Sequence, residues 1–460
     1  MENHQFPANF LGSLITEQGF DSVNFTKAHQ FAEPPTSIRA NPFKKTALKT
    51  DGQVPWCSEG YYLDTRPSFT FDPLFHAGCY YVQEASSMFI AHIVKHIKRA
   101  EPVKILDLCA APGGKSTLLN SEMTADDLLV ANEIIKTRVP VLADNLSRWG
   151  TANTIVTNND PKDFTCLTDF FDVILVDAPC SGSGMFRKDP AAMNEWSEAN
   201  VNLCHQRQER ILADIYPALK EDGYLIYSTC SYSRQENEAI LDWLCTEFAL
   251  ETVRISINNE WGIVETQSTN KKAWGYRFYS GKVRGEGLFA ACLKKKESSG
   301  NLLSFKNNNN QKLASAEFEL VKGYINNPAA YYFFKVNDDW LAINHQHKEN
   351  MNLLQHHLYL KKSGVRIGKL AGKDLVPDHE LALSVIVNKD AVLQTELDYG
   401  QAIQYLRRDN LMIDTTEKGW SLMTYKGQVL GWAKLLPDRI NNYYPKELRI
   451  LAPQPPKGEV

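Results

Sequence analysis

Between about residues 95 and 296, short and almost unbroken apolar runs alternate with longer stretches of mixed polarity. The apolar runs fall at 103–109, 128–132, 154–157, 172–177 and 223–229, with helical patterns between them, such as Lys136 to Trp149 and Asn200 to Lys220. A strand that is half exposed alternates apolar and polar residues, whereas one covered on both faces reads as a continuous apolar run. The pattern therefore predicts a doubly wound parallel sheet with helices on both sides. A late hairpin is expected from Trp274–Tyr279 to Leu288–Leu293, with Gly281, Gly285 and Gly287 in its turn.

The flanks differ. Phe10 to Phe20 and Ser22 to Gln30 read as two short helices, and Pro34, Pro35 and Pro42 bracket a turn into an extended strand. Glu297 to Ala316, with Ser298-Ser299-Gly300 and the run Asn307–Asn310, reads as a linker with little to bury. Beyond it the pattern is of short strands. Tyr331–Val336 and Trp340–Ile343 form one predicted hairpin. Gly419–Tyr425 and Gln428–Leu435 form another around Lys426-Gly427. The overall expectation is an α/β protein: a doubly wound Rossmann-like core, a small α/β N-terminal domain and a β-rich C-terminal region.

Composition adds limits. The chain has 460 residues, 43% hydrophobic and 23% charged, enough for several domains. With a formal net charge of −4, any nucleic-acid surface must be local. No apolar run reaches a membrane span of about 18 residues, and the N-terminus does not read as a secretory signal. Nine scattered cysteines without a Cys-x-x-Cys pair argue against a disulfide framework and a zinc ribbon. A reducing, cytoplasmic setting is expected, with no metal ion, no membrane and a monomeric state.

Chemistry concentrates at the strand exits, where open α/β sheets bind ligands. The strand at 103–109 runs into Cys109-Ala110-Ala111-Pro112-Gly113-Gly114-Lys115, whose small residues let backbone approach a ligand beside a helix start. Glu133 ends the second strand, where doubly wound folds bind a ribose diol. Asp160 follows the third and could accept from an adenine amino group. The loop matches neither G-x-G-x-x-G nor the phosphate loop G-x-x-x-x-G-K-[ST], which disfavours a dinucleotide. Cys180, in Asp177-Ala178-Pro179-Cys180-Ser181-Gly182, and Cys230, in Ser228-Thr229-Cys230-Ser231, leave two further strands among small polar residues. Cys57, Cys79, Cys166, Cys204, Cys245 and Cys292 are expected to be packing cysteines. A thiol beside the carboxylate of Asp177 is a pattern for covalent catalysis. Carbon 5 of a pyrimidine is a poor nucleophile, and a thiolate adding to carbon 6 makes it enamine-like and able to attack an electrophilic methyl group. A second thiol could assist release.

Leu106–Lys115, Asp177–Gly184 and Ser228–Ser231 together resemble the S-adenosylmethionine, Pro-Cys and Thr-Cys motifs of RNA 5-methylcytosine methyltransferases, and Tyr81–Met88 resembles the element before the cofactor loop. Ser58–Leu63, Asp72–Gly78, Asp378–Leu383, Gly431–Lys434 and Tyr444–Arg449 are similar to the bacterial RsmF-type branch, which acts on small-subunit (16S) ribosomal RNA and ends in a PUA-like barrel. The resemblance implies Cys230 as nucleophile, Cys180 in product release and Asp177 at the target base. It implies S-adenosyl-L-methionine held by residues 109–115, Glu133, Arg138, Asp160 and Asp177. The corresponding units are an N-terminal RNA-binding domain (1–92), a methyltransferase domain (93–296), a linker (297–316), a first C-terminal RNA-binding module (317–390) and a PUA-like module (391–460). The expected partner is ribosomal RNA or the small subunit, with RNA contacts at Arg39, Asn41, Arg187 and Lys188. Tyr331–Phe334 are assigned to a core rather than to base stacking. A transfer-RNA methyltransferase of the same chemistry and a non-catalytic assembly factor are the alternatives. A DNA cytosine enzyme would need no Thr-Cys thiol.

Overall fold

The computed structural model describes residues 6–97, 102–300 and 314–452. Met1–Gln5 and the asparagine run Asn307–Asn310 lie outside the described residues.

The centre is a ten-stranded mixed sheet. Its strands, numbered along the chain, are β1 (Lys104–Asp107), β2 (Leu128–Asn132), β3 (Thr154–Thr157), β4 (Phe171–Asp177), β5 (Leu219–Thr229), β6 (Leu250–Thr252), β7 (Val264–Gln267), β8 (Trp274–Phe278), β9 (Leu288–Lys295) and β10 (Leu360–Ser363). The order is β7-β8-β9-β5-β4-β1-β2-β3-β10, with β6 pairing β9. β5-β4-β1-β2-β3 are parallel, the others antiparallel. The five parallel strands are the five apolar runs of the sequence. Their side chains alternate between two cores: Ile105, Leu129 and Leu175 enter one, Leu106, Val130 and Ile174 the other. Helices Phe89–His96 and Val139–Trp149 cover the first face, and Glu198–Ile215 and Glu238–Glu247 the second. The 274–293 hairpin forms as β8 and β9.

The N-terminal segment has helices Phe10–Leu14 and Ser22–Phe31 and a three-stranded antiparallel sheet centred on Thr36–Ala40. Asp21 starts the second helix by accepting from the amides of Val23 and Asn24. The C-terminal region holds two four-stranded sheets. The first pairs Tyr331–Val336 with Asp339–Asn344; Phe333 is buried in the C-terminal core and Phe334 in the core on the second face of the central sheet. The second pairs Gly419–Tyr425 with Gln428–Leu435 around Lys426 and Gly427, both at positive φ, as a two-residue hairpin turn requires. β10 departs from the sequence reading: Leu360-Lys361-Lys362-Ser363 leaves the C-terminal region and adds antiparallel to β3 at the edge of the central sheet.

Candidate active site

β1 ends in Asp107, and helix Gly114–Ser121 begins seven residues later. Gly113 sits between them at φ 110°, a left-handed conformation that a side chain would strain. Its amide bonds the Ala110 carbonyl at 2.8 Å. The loop is tied to its neighbours by side chains. Asn145 donates to the Pro112 carbonyl (2.7 Å) and Arg138 to the Ala111 carbonyl (2.5 Å). Asn132 donates to the carbonyls of Leu108 and Asn159, joining the exits of β1, β2 and β3. Glu133 is buried; one oxygen accepts from the Ile135 amide (2.8 Å) and the other faces Arg138 at 3.4 Å. Asp160 caps the turn Pro161–Cys166, and its second oxygen is 4.0 Å from Arg210.

Asp107 is fully buried. Ser116 donates to one of its oxygens at 2.6 Å, and the other has no partner. Burial, aided by the nearby Asp177 and Glu133 and opposed by the Ser116 hydrogen bond and Lys115, pushes this carboxyl up to about 7. Burial also holds the Cys109 thiol far above its ordinary range, so Cys109 lines the loop as a neutral group.

β4 and β5 lie side by side with Asp177 opposite Ser228. Ser228 donates to one oxygen of Asp177 (2.7 Å), and Lys115, from the cofactor-loop helix, pairs with the other (2.8 Å). Burial disfavours the charged Lys115, but Asp177 more than offsets it and its ammonium is held above the usual range. Just past this pair the two loops run together, with the Cys180 and Cys230 sulfurs 3.2 Å apart. The loops pack on backbone: Gly184 donates to the Cys230 carbonyl, and a Cβ on Gly184 would come within 2.8 Å of that oxygen. The thiols are not equivalent. The hydrogen bond from Cys180 pulls Cys230 below the ordinary thiol range, against burial and Asp177 and with help from Lys115. The same bond, with burial, drives Cys180 well above it. Of the two, Cys230 is the more acidic thiol and Cys180 the less acidic one.

Three expected RNA contacts are elsewhere. Arg39 is 1% exposed: it donates to Gln83, Thr117 and Ser121 and stacks over Trp149. Asn41 is buried against the carbonyls of Gly78 and Trp149. Both brace the N-terminal sheet on the cofactor-loop and Val139–Trp149 helices, and a buried group satisfied by protein cannot reach a phosphate. Arg187 is 7% exposed and forked onto Glu286; Lys188 is exposed. Of the six cysteines expected to be packing, Cys57, Cys79, Cys204 and Cys292 are buried and Cys245 is half-buried, whereas Cys166 is exposed and departs from that expectation. Sequence reasoning missed Glu236, which accepts from both cysteine loops; the only signal was the acidic run Glu236-Asn237-Glu238 six residues after Cys230. Among the described residues there is no group of three metal-ligating side chains, and no helix long and apolar enough to cross a membrane.

Fold and site together define a methyltransferase: the family profile described as 16S rRNA methyltransferase RsmB/F matches residues 94–294. The N-terminal domain of 16S rRNA methyltransferase RsmF matches residues 6–85, and the methyltransferase RsmF PUA domain matches 392–450. Ribosomal RNA small subunit methyltransferase F of Aliivibrio salmonicida is 30% identical over 90% of this chain and 90% of its own. Its Pectobacterium atrosepticum namesake is 38% identical over 53% of this chain and 50% of its own. A methyltransferase homologue from Pyrococcus horikoshii superposes with a TM-score of 0.50 at 29% identity, over 59% of this chain and 90% of that one. The chain belongs to the family of ribosomal RNA small subunit methyltransferase F. It is an enzyme whose cofactor is S-adenosyl-L-methionine. The β1 exit fits that cationic group: a buried, partnerless carboxylate oxygen on Asp107 and a side-chain-free turn at Gly113 lie at the head of the loop.

Proposed function

We propose that the protein methylates carbon 5 of a cytidine in small-subunit ribosomal RNA through a covalent adduct between Cys230 and carbon 6 of the base. The observation that carries this reading is the thiol pair, 3.2 Å apart at the exits of adjacent parallel strands, with Cys230 biased toward thiolate and Cys180 toward thiol. The Cys230 sulfur forms a bond to carbon 6, and the ring π electrons move to carbon 5. The cofactor supplies an electrophilic methyl group, held by residues 109–115, Glu133, Arg138 and Asp160. Asp177, already fixed by Lys115 and Ser228, holds the base edge by accepting from the cytosine amino group at carbon 4. Carbon 5 would then take the methyl group as its bond to the cofactor's sulfonium breaks and leaves a neutral thioether; the carbon 5 proton passes to a solvent base, its electron pair restores the double bond as the carbon–sulfur bond breaks, and the Cys180 thiol stands where it can assist that departure. The target must leave its stack to reach the thiols, at a cost of roughly a few kcal/mol.

The substrate class rests on the relatives' names and on the matched N-terminal and PUA segments. Exposed Lys188, beside the Cys180 loop, is the expected phosphate contact near the target. Units 1–92 and 317–460 would grip folded RNA around this centre.

Trapping tests the reading. Cys180→Ala should accumulate an RNA–protein adduct that survives denaturing gels and maps by mass spectrometry to Cys230. Cys230→Ala should bind RNA without turnover or adduct. Normal release of methylated RNA by Cys180→Ala would remove the assigned role of Cys180, and an adduct on another residue would remove that of Cys230.

A further inference from the structure

Glu236 is fully buried and without a cationic partner among the described residues, although it stands under both cysteine loops. One of its oxygens accepts from the Ser181 amide (2.8 Å) and from Gln208 (3.3 Å). The other accepts from the hydroxyls of Ser181 (2.6 Å) and Ser231 (2.5 Å). Ser181 follows Cys180 and Ser231 follows Cys230, so one carboxylate holds the neighbours of both thiols. Gln208, on helix Glu198–Ile215, ties the same clamp to the Pro179 carbonyl (3.0 Å). A buried carboxylate is tolerated only when its lone pairs are filled, and here the donors that fill them belong to the two loops that must stay in register. Nothing else among the described side chains bridges these loops with as many bonds.

We infer that Glu236 is the positioning residue that holds Cys180 within hydrogen-bonding reach of Cys230. The inference rests on the reading of Cys230 as the nucleophile. Glu236 touches neither base nor cofactor and acts only through the two serines. Its own charge works against the Cys230 thiolate, and more weakly than the hydrogen bond from Cys180 favours it. Losing the clamp and losing the charge should therefore move Cys230 in opposite directions. The other charges facing the thiols are Asp177 and Lys115, which are paired with each other.

The test is the pH profile of Cys230 alkylation by iodoacetamide in the full-length protein, read by mass spectrometry, for wild type, Glu236→Ala and Glu236→Gln. In Glu236→Ala the loops separate, the profile of Cys230 moves to higher pH, and turnover falls on the order of 10²-fold, the scale of a misplacement of roughly 1 Å. In Glu236→Gln the amide still spans Ser181 and Ser231 without the charge, so the profile stays or moves to lower pH. If Glu236→Ala does not fold, Gln208→Ala should show a smaller shift in the direction expected for Glu236→Ala. An unmoved profile in a folded Glu236→Ala with only a lower Tm would overturn the inference, as would equal upward shifts in the Ala and Gln variants. Failure of the nucleophile reading would show separately, as no Cys230 adduct when Cys180→Ala is made with Glu236 intact.

Discussion

Asp107→Asn should stabilise the ligand-free protein in a strongly pH-dependent way. In the native chain burial raises this carboxyl from 3.8 to about 7. A carboxyl with a raised folded pKa favours the fold while protonated. That contribution is complete below the unfolded value of about 4 and disappears as pH rises through about 7. At about 1.4 kcal/mol per pH unit the ionised group costs about 4 kcal/mol at pH 8. The side chain is fully buried, so solvent screening gives little relief. Asparagine keeps an acceptor for Ser116 and cannot ionise. Its amide also lacks a partner at the empty oxygen position, a cost that does not vary with pH. Differential scanning fluorimetry of both proteins from pH 5 to 8 separates the two terms. The difference in Tm, variant minus wild type, should grow by on the order of 10 °C for a catalytic domain of this size. A difference constant to about a degree across that range would refute the burial argument. The same logic makes native Asp107 a pre-set partner for a cationic ligand, so cofactor affinity should rise with pH through about 7 in wild type and stay flat in Asp107→Asn.

Other expectations follow from the same contacts. Arg39→Ala empties a buried site with hydrogen bonds to three side chains and should cost on the order of 3 kcal/mol of stability; thermal melts check this, and RNA affinity of the folded fraction should be unchanged. Lys188→Ala should weaken RNA binding uniformly across sequences and lower the slope of log affinity against log salt by about 1, measured by filter binding at several salt concentrations. Arg187→Ala should instead behave as a folding defect, because it leaves Glu286 buried without its guanidinium.

The central sheet was legible because burial on both faces leaves an unmistakable apolar run, and the hairpin at 419–435 because Lys-Gly specifies a tight turn. β10 was not, since Leu-Lys-Lys-Ser has no strand pattern of its own and pairs only because the edge of β3 is open to it. The two cysteines were legible from their place after apolar strands. The burial of Arg39, Asn41 and the Arg187 side chain was not legible because a polar or charged side chain reads as exposed unless its partners are known, and their partners lie 37 to 108 positions away in sequence. Glu236 was hidden for the same reason: an acid in a polar run reads as solvated, and only the register of β4 on β5 brings Ser181 and Ser231 to it.

The most direct test of the account is to incubate the purified protein with methyl-labelled S-adenosyl-L-methionine and, in parallel, small ribosomal subunits, naked small-subunit RNA and transfer RNA, and to digest each product to nucleosides. Label recovered as 5-methylcytidine from small-subunit RNA is the predicted result. Label only in transfer RNA, on another atom of the base, or in no RNA while the cofactor is bound would contradict it.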